Sequence, residues 1–165
     1  MGRKLGTFRR LLAVLLLAVW WGGFTFYALA VVPTGHQVLR SKVRQGFITQ
    51  QVTNKLNVLG AVTTAWLLIE LLATRRRSGR DWFRAQTVSW AALAVTLVAL
   101  VWLHGRLDAQ LDFAQRAVLD DVRFYQWHRV YLMVSTEQWL AMVVHLASLL
   151  AFGRQPSAAT IGASG

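Results

Sequence analysis

The residues of this chain that could do chemistry are few, and most fall inside apolar runs. Glu137 lies nine residues after His128 in the last such run, a rise of roughly 13 Å along a helix. That depth is near the middle of a bilayer. A carboxylate there is costly, so it is expected to face the bundle interior or water, either as a working group or held by hydrogen bonds to a neighbouring helix. Ser135, Thr136 and Gln138 surround it, so this helix is polar on more than one side at mid-depth. Asn57, in the second run, is the polar group best placed by sequence to join them. Glu137, Gln138, Ser135 and Asn57 are therefore the candidate intramembrane polar site, with His128 and Tyr131 at its outer mouth.

Histidines offer a second chemistry. His36 follows the first run, His104 ends the third and His128 begins the fourth. On the topology argued below, all three reach the same outer face. With Asp108 or Asp121 nearby, such imidazoles could hold a divalent transition metal. Their spacing along the chain is not itself a metal motif, and separate interfacial histidines are the simpler expectation. His145 lies about 25 Å further along the last helix than His128, with no second histidine near it, so paired histidine ligation of haem fails on count. No cofactor is called for. Glu70, close to Arg75–Arg77, is expected to form an interfacial ion pair. No nucleophile and base, phosphate loop or pair of carboxylates at catalytic spacing can be found in the loops, and the chain is expected not to be an enzyme.

The elements that must position these residues are four apolar runs, at about 11–32, 52–73, 88–104 and 130–152. A hydrocarbon core about 30 Å thick needs roughly 20 apolar residues in a helix. The runs are continuous rather than alternating, which excludes a β-barrel. The chain has 165 residues, 55% of them hydrophobic and only 15% charged, which suits a single helical bundle in lipid. It has no cysteine, so neither disulfides nor thiolate metal sites arise. The net charge of +11 would suggest nucleic acid in a soluble protein. Here the basic residues flank the apolar runs, where they anchor to headgroups and set orientation, and no nucleic-acid partner is expected.

The first run is longer than a secretory h-region and carries Trp20, Trp21, Phe24, Phe26 and Tyr27, so it is expected to remain as a span despite a small-x-small pattern at Ala28–Ala30. Pro33-Thr34-Gly35 is expected to stop it. The basic segment 36–55 then has Leu39, Val43 and Phe47 at four-residue steps, the pattern of a short interfacial helix. Between the third and fourth runs, Leu107, Leu111, Ala114, Val118, Val122 and Tyr125 recur at three- and four-residue steps. This predicts an amphipathic helix at about 107–124, with Asp112 and Arg116 paired on another face. The tail at 154–165 is small and polar and is expected to be disordered.

The predicted architecture is thus all-α: a four-helix transmembrane bundle with an amphipathic helix between the third and fourth spans, in one domain over 1–153. Gly22 and Gly23 in the first helix, and Gly60, Ala61 and Thr64 in the second, are expected to let helices approach closely. Lysines and arginines number ten on the side of both termini and eight on the other. The denser clusters lie on the terminal side, so both termini are expected in the cytoplasm, with the protein multi-pass in the inner cell membrane. Its expected partners are the lipid bilayer, a second copy or another membrane subunit, and an unidentified small solute or ion.

Two stretches carry a family resemblance. Trp20-Trp21-Gly22-Gly23-Phe24-Thr25-Phe26-Tyr27-Ala28, followed by Val31-Val32-Pro33, resembles the first helix of a bacterial membrane family related to the transmembrane-protein-two-hundred-and-five-like proteins. Phe124-Tyr125-Gln126-Trp127-His128-Arg129-Val130-Tyr131, with Ser135, resembles that family's entry into its last helix. The resemblance spans most of residues 11–150. It implies a four-helix membrane protein and no established reaction. A layout similar to copper-resistance membrane proteins keeps metal handling among the possibilities.

Overall fold

The computed structural model describes residues 2–75, 79–112 and 117–152. The chain folds as α1 (Gly2–Phe26), a π-helical turn (Tyr27–Val31), α2 (Val32–Leu39), α3 (Lys42–Thr74), α4 (Arg80–Asp108), a two-residue strand pair β1 (Leu111–Asp112) and β2 (Ala117–Val118), and α5 (Asp121–Phe152). This is the expected all-α four-helix bundle. All four long helical segments are long and apolar enough to cross a membrane.

The helices pack in a ring. α1 lies between α3 and α5, and α4 closes the ring on the other side, with α4 and α5 the most extensive pairing. Ala13, Leu17, Trp20, Leu67, Leu93, Leu97, Met142 and Leu149 form the buried core. Trp20 of this core lies against Gly60, where a Cβ would lie 2.5 Å from the indole ring. Glycine there lets α1 and α3 approach closely, the reason small residues are enriched where helices meet in lipid.

Each neighbouring pair of helices is also tied by a tryptophan. The indole N–H of Trp66 on α3 donates to the Arg9 carbonyl of α1 at 3.2 Å, and Trp90 on α4 donates to the Thr64 carbonyl of α3 at 3.0 Å. Trp82 on α4 donates to the Ser148 carbonyl of α5 at 3.2 Å, and Trp139 on α5 to Thr25 Oγ1 of α1 at 2.9 Å. A buried indole N–H needs an acceptor, and in lipid a neighbouring helix is the available source.

Tryptophans also mark the depth of the bilayer. Trp102 and Trp127 meet edge to face at 5.6 Å, with the Arg106 guanidinium 5.0 Å from the first ring and 5.9 Å from the second. Trp82 lies beside Ser148 at the other end. The α4 rise from Trp82 to Trp102 is about 30 Å, and the α5 rise from Trp127 to Ser148 is about 31 Å. Both match the hydrocarbon thickness, with aromatic residues at each boundary. The end carrying Lys4 and Arg80 is called the terminal end below, and the end carrying Arg40 and the strand pair the distal end.

Three local expectations are corrected. Pro33 does not stop the first helix. The chain stays helical to Leu39, because the π-turn just before Pro33, closed by Val32 N–H to the Tyr27 carbonyl, widens the turn ahead of a residue with no N–H to give. The helix stops at Arg40, in the left-handed region (φ 47°), and Ser41 then caps α3 by accepting from Arg44 N–H at 3.4 Å. The separate interfacial helix expected in 36–55 is therefore divided between α2 and an early start of α3, which at 33 residues is about 50 Å long.

Nor does an amphipathic helix form at 107–124. Leu107 is already committed to the buried face of α4, in phase with Leu93, Leu97, Leu100 and Leu103. The chain then turns through Ala109 and Gln110, pairs Leu111 with Val118 and Asp112 with Ala117, and re-enters helix at Asp121. Asp120 accepts from Arg123 N–H at 3.0 Å, the N-cap contact that starts α5. The expected Asp112–Arg116 helical pair and the tail at 154–165 lie outside the described residues.

Candidate functional site

Two polar layers cross the bundle, and they differ in how completely their hydrogen bonds are closed. At the terminal end, Glu70 on α3 is 4% exposed and pairs with Arg9 of α1. This partner is on α1; Arg76 and Arg77 of the expected cluster lie outside the described residues. Arg10 donates to the Leu149 carbonyl of α5, and Gln86 of α4 donates to Ser148 Oγ. Ser148 Oγ in turn donates to the His145 carbonyl at 2.8 Å, and Ser89 Oγ lies 2.7 Å from His145 Nδ1.

Ser89 and His145 meet at the distance of a nucleophile and base, yet the contact asks for no such role. Ser89 Oγ also lies 3.2 Å from the Gln86 carbonyl. With Nδ1–H donating to Ser89 and the Ser89 hydroxyl donating to that carbonyl, each of these groups is satisfied and the hydroxyl is not activated. This layer locks α1, α3, α4 and α5 together.

At the distal half the pattern reverses. The Tyr27 hydroxyl, carried on the π-turn, is turned toward Thr49 and Thr53 of α3. The Tyr131 hydroxyl of α5 meets Thr53 and Ser135, with Tyr27 close by. Thr53 is therefore the centre of a hydroxyl cluster linking α3 and α5 across the diagonal of the ring. One turn along α5, Gln138 is 1% exposed.

Buried polar atoms with no partner in hydrogen-bonding geometry are, among the described residues, Trp21 Nε1, Tyr27 Oη, Gln45 Oε1, Thr63 Oγ1, Thr64 Oγ1, His104 Nε2, Ser135 Oγ and Gln138 Nε2; the hydroxyls that face Tyr27 and Ser135, and the Asp108 carboxylate beside His104, lie near them without meeting that geometry. None of these open atoms belongs to the terminal layer. They run from the middle of the bundle to its distal end. Buried polar groups are ordinarily paired, so a concentration of open ones at one end marks it as different in kind.

The four residues of the expected intramembrane site divide. Ser135 and Gln138 are buried in this half, and Asn57 is half-buried one turn from Thr53 on α3. Glu137 is not with them. It is exposed on the outer surface of α5, between exposed Met133 and Leu140. The physical reason is helical phase: Ser135, Gln138, Met142, His145 and Leu149 hold the inward face at three- and four-residue steps, and Glu137 lies one residue off that stripe.

The histidines do not gather either. His36 is exposed on α2, which packs on α3, whereas His104 and His128 belong to α4 and α5. His104 Nε2 is 3.5 Å from Asp108, and His128 stacks on Phe124 with ring centroids 6.0 Å apart. Among the described residues no group of three His, Asp or Glu could hold a metal. His36, His104 and His128, expected as a metal site, are not brought into such a group.

Sequence reasoning passed over Tyr27, Gln45, Thr49 and Thr53. A signal was present: Gln45, Thr49, Thr53 and Asn57 recur every four residues, a polar stripe along one side of α3. Tyr27 had a signal too: it continues the three- and four-residue steps of Ala13, Leu17, Trp20 and Phe24 along the inward face of α1.

Fold and site together define a small polytopic helical membrane protein with an incompletely paired polar interior. Comparison with protein-family models, with curated proteins and with solved structures returns no match.

Proposed function

We propose that this is a non-enzymatic membrane protein that binds a small polar solute in the distal half of the bundle and serves its transport, with Ser135, Gln138, Thr53 and Asn57 around the site and Tyr27 and Tyr131 at its mouth. One observation carries the reading: the open buried hydrogen-bonding groups lie in the middle and distal parts, while the terminal layer is closed. Leaving a buried donor or acceptor unpaired costs about 1–3 kcal/mol, and such a cost is retained where a ligand completes the pairing. The site has hydroxyls and amides but no carboxylate, which suits a neutral solute better than a cation. The reading places the protein in the inner cell membrane with both termini in the cytoplasm, so the distal end faces outward.

Gln138→Leu and Ser135→Ala test it. Each removes an open polar group, so each should raise the thermal stability of the purified protein, by about 1 kcal/mol. Each should also remove any small molecule that co-purifies with the wild-type protein, measured by native mass spectrometry. Substitutions that destabilise the protein would identify these groups as paired structural elements and end the proposal.

Glu137 favours a second reading, that α5 docks against a second copy or another membrane subunit. It is an exposed carboxyl roughly 15 Å from either bilayer boundary, a depth at which ionisable groups are almost always covered. Glu137→Leu should then change the mass of the complex in detergent. An unchanged mass together with an unchanged melting temperature removes this reading.

A further inference from the structure

The end of α1, the π-turn and α2 face the start of α3 across a groove of about 410 Å³. Its walls are mostly apolar, with Phe26, Val38 and Ile48 among them, and its polar side chains include Tyr27, Gln45 and Thr49. Among the described residues, no lining side chain carries a charge. Tyr27 lies close to Tyr131, one turn from Trp127, so the groove sits at the distal bilayer boundary, where amphiphilic molecules partition.

Gln45 gives the groove its chemistry. The residue is 6% exposed, and its Nε2 donates to the Val32 carbonyl at 2.7 Å. A carbonyl can only accept, so the amide is held one way round and Oε1 is the atom left over. That Oε1 is buried and has no donor. Gly35 keeps the space open, since a Cβ there would lie 3.3 Å from Gln45 Nε2.

We infer that this groove binds a neutral amphiphile, such as a long-chain alcohol, whose head donates a hydrogen bond to Gln45 Oε1 and whose apolar body lies along Phe26, Val38 and Ile48. An anionic head meets an acceptor and, among the described lining residues, no basic group. A quaternary ammonium head has no hydrogen to donate and meets no carboxylate. The inference rests on reading the distal end as the binding end, but it uses residues separate from Ser135 and Gln138.

The test uses three photoreactive probes with one common alkyl chain and a hydroxyl, carboxylate or trimethylammonium head, each presented to the full-length protein in phosphatidylcholine vesicles. The alcohol should label segments 30–39 and 45–49 in preference to the other two. Gln45→Leu should lower alcohol labelling roughly tenfold, the worth of one hydrogen bond, to the level of the other probes. Ile48→Trp, which fills the groove and leaves Gln45 in place, should abolish labelling by all three. Equal labelling of the wild-type protein by the three heads overturns the inference, and so does alcohol labelling that survives both substitutions. If Gln45→Leu does not fold, competition by unlabelled alcohol against unlabelled carboxylate on the wild-type protein decides the same question. Ser135→Ala and Gln138→Leu leave alcohol labelling unchanged, so failure of the solute site is read apart from failure of the groove.

Discussion

Glu70 and Glu137 are the two carboxylates within the apolar runs, and the fold treats them in opposite ways. Glu70 is buried against Arg9, so its charge is compensated inside the bundle. Removing one partner of a buried pair leaves the other uncompensated, at a cost of roughly 3 kcal/mol or more. Arg9→Ala should therefore lower the melting temperature sharply, whereas Arg9→Ala combined with Glu70→Leu should recover much of the loss. Thermal unfolding of the single and double variants in one detergent checks this. An additive double variant would show that the pair is not coupled. Glu137, by contrast, has its place on the surface, and the packing of the bundle does not depend on it. The residue types were legible in sequence. Their partners were not, because Arg9 is 61 positions from Glu70 and no periodicity links two different helices.

At the scale of the element, α1 and α3 are fitted to one another by Trp20 and Gly60, and α2 and α3 by Gly35 and Gln45. Overpacking a close helix contact costs about 1–3 kcal/mol. Gly60→Ala should destabilise the protein by that amount, and Trp20→Leu in the same chain should relieve part of it by removing the ring that the new methyl group meets. No recovery in the double variant, followed by thermal unfolding, would show that the close approach is not the cause. The small-residue face on the second helix was readable as a packing surface. That Trp20 is the side chain laid against it depends on the register between helices, which is set by packing of whole faces. The amphipathic pattern at 107–124 failed for a related reason. Its first member, Leu107, was already in phase with the inward face of α4, and a residue can serve only one burial pattern.

For the whole molecule, the ring order of the helices and the two aromatic boundaries make the ends distinct. The terminal end is closed by ion-pair and hydroxyl contacts, the open polar groups run from the middle to the distal end, and the groove lies at the distal end. On the topology proposed from the charge bias, the terminal end lies in the cytoplasm. Because the chain has no cysteine, single introduced thiols report orientation cleanly. Lys4 and Asp121 are both exposed, at opposite ends. Lys4→Cys should react with an impermeant maleimide only after the cells are opened, and Asp121→Cys should react in intact cells once the outer permeability barrier is removed. The reverse pattern would invert the topology and carry the groove to the cytoplasmic face.

Sequence alone determined that this chain makes four membrane-length helices, because length and hydropathy are sums over neighbouring residues and need no knowledge of what lies across the bundle. It also marked Ser135, Gln138 and Asn57 as polar groups within those helices. Only the tertiary structure decided which polar groups face inward. One residue of phase turns Glu137 outward while Gln138 is buried, the packing of α1 beside α3 brings Tyr27 to Thr49 and Thr53, and one amide held by the Val32 carbonyl leaves Gln45 with an acceptor to offer. Each of these depends on rotation about a helix axis, which is settled by packing against other helices and not by the local order of residues.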